Sequence, residues 1–246
     1  MNLKEFLKLV TMDGKVQYAR INHNNSVSMT DATNSLLIYA LSKVSFGLSQ
    51  DLCIGDTGQL LKILTVLGDS PQIEVKETSV VLSNSGSKFV VELLASCPNY
   101  VEEGTKSLNA ILKKCLTTVT VDDGLLTKMS DALSLYKKPI VAFYQEGKGI
   151  FLCLADLSFS DTKQMAKQYA TIQIVGNPVK QLKSPFEVDG INWYNGMFFL
   201  DVLKALVGIE DINLKLSFDK TPFIVIGKTT EVSVYFCVAP TSLMEK

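Results

Sequence analysis

The sequence predicts an α+β protein in which one plan of helices and antiparallel strands is used twice. Three observations predict it. The phrase FLDVLKALVGIEDI (199–212) repeats, in degraded form, LLKILTVLGDSPQI (60–73). Both copies lead into runs of alternating apolar and polar residues, and both are preceded upstream by a second segment of helical spacing.

Taken in order, LKEFLKLVT (3–11) places Leu3, Phe6, Leu7 and Val10 on one helical stripe. KVQYARI (15–21), SVSMTD (26–31) and LLIYALS (36–42) then have strand character. In the second helix Leu60, Leu61, Leu64 and Leu67 share a face, with Lys62 and Thr65 opposite. Three period-two runs follow, IEVKE (73–77), VVLS (80–83) and FVVELLA (89–95), with the turn NSGS (84–87) between the last two. The stretch SCPNYVEEGTKSLN (96–109) has no clear periodicity and is expected to be a connector of loop type. The expected domains are 1–97 and 117–246, with 98–116 as the connector between them.

The second half restates this order. GLLTKMSDALSLY (124–136) aligns Leu126, Met129, Ala132 and Leu133 on one face. Strands are expected at IVAFY (140–144), GIFLCLAD (149–156) and ATIQIVG (170–176). At an offset of 139, from Ile73 to Ile212, Phe199, Leu200, Leu203 and Leu206 fall on the four leucines of the second helix without a gap. Asp201 and Lys204 take the places of Lys62 and Thr65. INLKLS (212–217), FIVIG (223–227) and VSVYFCVA (232–239) close the second meander, with GKTTE (227–231) as a hairpin turn.

Composition narrows the function. Of the 246 residues 47% are hydrophobic and 20% charged, which excludes a disordered chain. A net charge of −1 gives no global basic field, and Arg20 is the only arginine, which argues against bidentate readout of bases or phosphates; sequence-specific DNA recognition is not expected. Lys4, Glu5 and Lys8 interrupt any secretion signal, and no run suits a membrane span; the expectation is a soluble, cytosolic protein. Cys53, Cys97, Cys115, Cys153 and Cys237 fit reduced thiols, with Cys53 and Cys153 as inert core groups.

Catalytic chemistry has little to work with. GKTT (227–230) lacks the upstream glycine and the following helix of a phosphate loop. His23 is the only histidine and lies in the polar stretch INHNN. Glu102 with Glu103, Asp122 with Asp123, Lys113 with Lys114 and Lys137 with Lys138 are expected to be solvated. No enzyme, no metal and no cofactor are expected.

Several segments carry a family likeness. VSVYFCVAP (232–240), FDKTPFIVIG (218–227), NGMFFLDVLKAL (195–206), GDTGQLLKIL (55–64) and the strands SVSMTD and FLCLAD ending in Asp resemble those of two-domain DNA sliding clamps. These are the proliferating-cell nuclear antigen family and the replication clamps of tailed phages. The resemblance implies duplicated clamp domains, with antiparallel sheets outside and two helices per domain lining a ring of three chains. It implies a processivity factor that tethers DNA polymerase and is opened by a clamp loader; the sparse, lysine-dominated helices and divergent motifs point to a virus or phage, with the protein in the host cytoplasm if phage-encoded.

Duplex DNA would be held without sequence preference by Lys4, Lys8, Lys62, Lys128 and Lys204, while Asp201, Val66 and Ala205 keep that face thinly charged. Subunits would pair through the strands at 88–94 and 171–175. A pocket for partner peptides, between the domains in that family, would be walled by Leu108, Pro222, Cys237, Val238, Ala239 and Pro240. The alternative is a non-catalytic, duplicated β-rich structural or assembly protein, such as a virion component, without a DNA role.

Overall fold

The computed structural model describes residues 1–98, 100–157, 168–176, 184, 186, 191–218 and 221–241. The chain divides into two compact units. Unit 1 holds Met1–Leu108 with Gly227–Phe236, and unit 2 holds Asn109–Ile226 with Cys237–Lys246. The chain therefore returns to unit 1 for ten residues before it ends in unit 2.

Unit 1 opens with α1 (Leu3–Val10), whose apolar stripe buries Leu3, Phe6, Leu7 and Val10 as the spacing predicts. Asn2 caps it: its side chain accepts the Glu5 N–H at 2.9 Å while the Glu5 carboxylate accepts the Asn2 N–H at 2.9 Å. Met12, Asp13 and Gly14 then all take left-handed φ, so the chain turns sharply and the strand expected from residue 15 begins only at β1 (Ala19–Ile21). β2 (Ser26–Thr30), β3 (Leu36–Ser42) and β4 (Leu52–Ile54) follow. α2 (Thr57–Leu67) buries Leu60, Leu61, Leu64 and Leu67 and packs on α1. β5 (Gln72–Val75), β6 (Ser79–Ser83) and β7 (Lys88–Glu92) form a three-stranded antiparallel meander in that order.

The connector is where expectation and structure part. Residues 104–112 form a helix, α3 (Gly104–Leu112), instead of a loop. Gly104 explains why composition hid it. A Cβ there would lie 1.7 Å from the Ser28 Oγ, so the helix start is pressed onto β2 where only glycine fits. The Val101 N–H donates to the Ser28 carbonyl at 3.0 Å and fixes the approach.

Unit 2 repeats the helix pair and the strands. β8 (Thr117–Val121), a strand the sequence reading omitted, precedes α4 (Asp123–Ser134), which buries Leu126, Met129 and Leu133. Then come β9 (Pro139–Glu146), β10 (Gly149–Asp156), β11 (Ala170–Val175), β12 (Trp193–Asn195) and α5 (Gly196–Ala205), which packs on α4. β13 (Asp211–Leu216), β14 (Phe223–Lys228), β15 (Val232–Val238) and β16 (Pro240–Thr241) complete the chain. In sheet order, unit 1 contains β4-β1-β2-β3-β15, counting β15 through Phe236. Unit 2 contains β14-β13-β8 and β11-β10-β9-β12-β16, every pair described being antiparallel. No helix among the described residues is long and apolar enough to cross a membrane.

The duplication reaches the helix caps. Asp56 accepts the Gln59 N–H at 2.8 Å, and at the same offset of 139 Asn195 accepts the Met197 N–H at 2.9 Å. The strand-ending aspartates also have structural work: Asp31 accepts the Leu36 N–H at 2.7 Å, and Asp156 the Lys137 N–H at 3.0 Å. At Gly196 a Cβ would meet the Pro139 carbonyl oxygen at 2.6 Å. Gly196→Ala is therefore expected to push α5 off β9 and destabilise the protein by about 1–3 kcal/mol, read as a lower urea midpoint at unchanged slope.

Candidate functional site

The lysines lie on the helix faces left in water. Lys8 and Lys62 are exposed in unit 1, and Lys128 and Lys204 in unit 2. Lys4 is half-buried with its Nζ 3.1 Å from the Asp69 carboxylate, a surface pair worth at most about 1 kcal/mol. Carboxylates share these faces: Glu5 on α1, Asp123 and Asp131 on α4, and half-buried Asp201 on α5. Val66 is 65% exposed. Lysines and carboxylates therefore stand together on the exposed faces of these helices within each unit.

Most of the proposed peptide wall gathers in unit 2. Pro222, Ala239 and Pro240 are half-buried, whereas Cys237 and Val238 lie inside and offer no side-chain surface. The Cys115 thiol donates to the Pro222 carbonyl at 3.5 Å, and the Tyr194 hydroxyl to the Thr221 carbonyl at 2.9 Å. Pro240 pairs with Tyr194 across β12 and β16. Burial, with Cys115 nearby, pushes the Cys237 thiol up to about 12, so it is a neutral, unreactive packing group. Leu108 is buried on α3 and belongs to unit 1.

Sequence reasoning missed Leu116, which is 89% exposed beside Cys115. The signal was present. Val119 and Val121 of β8 point inward, so period two puts residue 116 on the solvent side, where a leucine is out of place.

Unit 1 holds a cavity of about 570 Å³ lined by Arg20, His23, Asp51, Cys53, Cys97 and others. The Arg20 guanidinium donates to Asp51 at 2.7 Å and stacks over the Tyr100 ring, 4.2 Å from its centroid. The His23 N–H donates to the same carboxylate at 2.8 Å, with the ring Nδ1 at 3.0 Å. Burial pushes the Asp51 carboxyl up, yet the hydrogen bonds from Arg20 and His23 outweigh it and hold the group below its ordinary range. The same pairing raises Arg20. His23 itself stays 71% exposed, the surface position expected of it. Cys53 departs from expectation: it is a half-buried wall of this cavity and not a core thiol, while Cys153 is fully buried. Among the described residues no group of three His, Cys, Asp or Glu side chains is arranged to hold a metal.

No protein-family model and no curated protein matches this sequence. Solved structures do. The chain is similar to the beta clamp of Helicobacter pylori in complex with diflunisal, with a TM-score of 0.66 at 15% identity, covering 98% of this chain and 64% of that one. It is similar to the proliferating cellular nuclear antigen of Entamoeba histolytica, with a TM-score of 0.63 at 15% identity over 97% of this chain and 94% of that one. It is also similar to the A. fulgidus PCNA bound to the C-terminal region of FEN-1, with a TM-score of 0.64 at 11% identity over 100% and 98% of the two chains. The chain has the sliding-clamp fold, an α+β arrangement with antiparallel sheets and a duplicated layout.

Proposed function

We propose that the protein is a DNA sliding clamp: copies of the chain close into a ring around duplex DNA and tether the replicative polymerase, without a reaction of their own. The observation that carries this reading is the likeness over the whole chain to structures that are themselves clamps. Three copies per ring is the count we propose, as the resemblance of the sequence to two-domain clamps implies. Ring closure falls to β7 and β11, each the edge strand of its sheet among the described residues.

In this reading Lys8, Lys62, Lys128 and Lys204, with Lys4, hold the phosphate backbone by counterion release. The grip is weak at every point and indifferent to sequence, which lets the ring slide. A clamp loader opens the ring, and the polymerase inserts a short apolar tail beside Pro222, Ala239, Pro240 and Leu116.

Loading onto DNA tests the reading. A threaded ring stays on a nicked circle and is lost from the same DNA once linearised; equal retention on both would end the proposal. The channel assignment is tested separately by Lys62→Glu, Lys128→Glu and Lys204→Glu together. This triple variant is expected to assemble normally but to stimulate polymerase at least about tenfold less at moderate salt. Unchanged stimulation would remove these lysines from the DNA path.

A further inference from the structure

We propose that Cys53 and Cys97 form an oxidation site in unit 1 that closes reversibly into a disulfide. The backbone brings the two residues together. Leu93 bridges Ile54, and the Leu94 N–H donates to the Cys53 carbonyl at 2.9 Å, so the chain leaving β7 runs along β4. Three residues on, Cys97 joins Cys53 in the lining of one cavity, where the two thiols share a hydrogen bond and the Cys97 sulfur accepts the Ile54 N–H.

Both thiols are half-buried and both line the open cavity of about 570 Å³, so a small oxidant reaches them. Cys115, Cys153 and Cys237 are buried, which makes this pair the accessible one. Burial pushes both thiols up, and Arg20 pulls them back only in part. The thiolate is therefore scarce at neutral pH, and closure should quicken as pH rises.

A peroxide is the oxidant class. One thiolate attacks a peroxide oxygen, the O–O bond breaks, and a sulfenic acid forms as hydroxide or alkoxide leaves and takes up the thiol's proton. The second thiol then displaces the sulfenic oxygen as water. In sum two S–H bonds are exchanged for one S–S bond, and the two electrons and two protons pass to the peroxide. The bond would staple the segment after β7 to β4, whatever the protein binds, so the inference does not depend on the clamp reading.

The test treats the reduced full-length protein with excess hydrogen peroxide at pH 7 and pH 8.5. The expected result is an intact mass lower by two hydrogens, faster at the higher pH. Proteolysis without reductant should yield one cross-linked peptide pair containing Cys53 and Cys97, reversed by dithiothreitol. The melting temperature of the oxidised form should rise by about 5 °C, since the closed loop runs from residue 53 to 97. Cys53→Ser and Cys97→Ser should each gain oxygen on the remaining thiol instead of losing hydrogen. Oxygen added separately to both thiols of the unmutated chain, a cross-link mapped to any other pair, or no mass change in excess oxidant would each overturn the proposal. Mapping on the unmutated chain decides this even if a serine variant fails to fold.

Discussion

Phe223→Ala is expected to destabilise unit 2 by about 3–5 kcal/mol, the largest loss any single truncation in that unit should cause. Phe223 is fully buried at the start of β14. Its ring centroid lies 5.0 Å from Phe143, 4.8 Å from Tyr194 and 5.2 Å from Phe199, each pair close to edge-on. Those partners sit on β9, β12 and α5, so one ring links two sheets to the helix that carries Lys204. Edge-to-face pairs add roughly 0.5–1.5 kcal/mol each beyond area burial, and all three vanish together. Urea unfolding followed by tryptophan fluorescence should report it, since Trp193 adjoins Tyr194. Phe223→Leu, which keeps most of the volume, should lose less than half as much. Equal losses for leucine and alanine would show that ring geometry, not volume, decides.

Val90→Pro is expected to dissolve the proposed ring into single copies while leaving unit 1 folded. The Leu93 N–H donates to Thr78, beside β6, and the Leu94 N–H points the other way, to Cys53. By strand alternation the N–H groups of residues 88, 90 and 92 face the open side of β7. Proline at 90 removes an outward donor without touching the ladder to β6, and Val90 is 61% exposed. Light scattering should show the mass fall from three chains to one, with self-association weakened at least about 100-fold, while far-UV circular dichroism is unchanged. An assembly that survives this change would move ring closure to another edge.

How much was legible depended on whether a pattern was long enough to repeat. The leucines of α2 and the matching Phe199, Leu200, Leu203 and Leu206 follow the helical period over two turns, and all of them are buried. β4 and β12 have three residues each, too few for any period to declare itself. α3 fully buries only Gly104 and Leu108, and its apolar residues Leu108, Ile111 and Leu112 span little more than one turn, too short a stripe to stand out from the connector; its place is set by the approach to Ser28. For the site, the lysines were legible as the polar side of amphipathic helices. The inward position of Val238 was not, because Phe236, Cys237 and Val238 are buried in succession and strand alternation fails there. The Arg20, His23 and Asp51 group was equally hidden, since it is assembled by the pairing of β1 with β4 and not by spacing along the chain.

The ten residues that unit 1 takes from near the end of the chain have a consequence for biosynthesis. While the ribosome is still translating the first half, β3 has no β15 beside it, and its backbone groups stay open to any strand that arrives. The first lobe therefore cannot be finished before Gly227–Phe236 have emerged, long after its own first hundred residues. The gene could not be cut between its two repeats to give two proteins that each mature alone, however clearly the repeats are written.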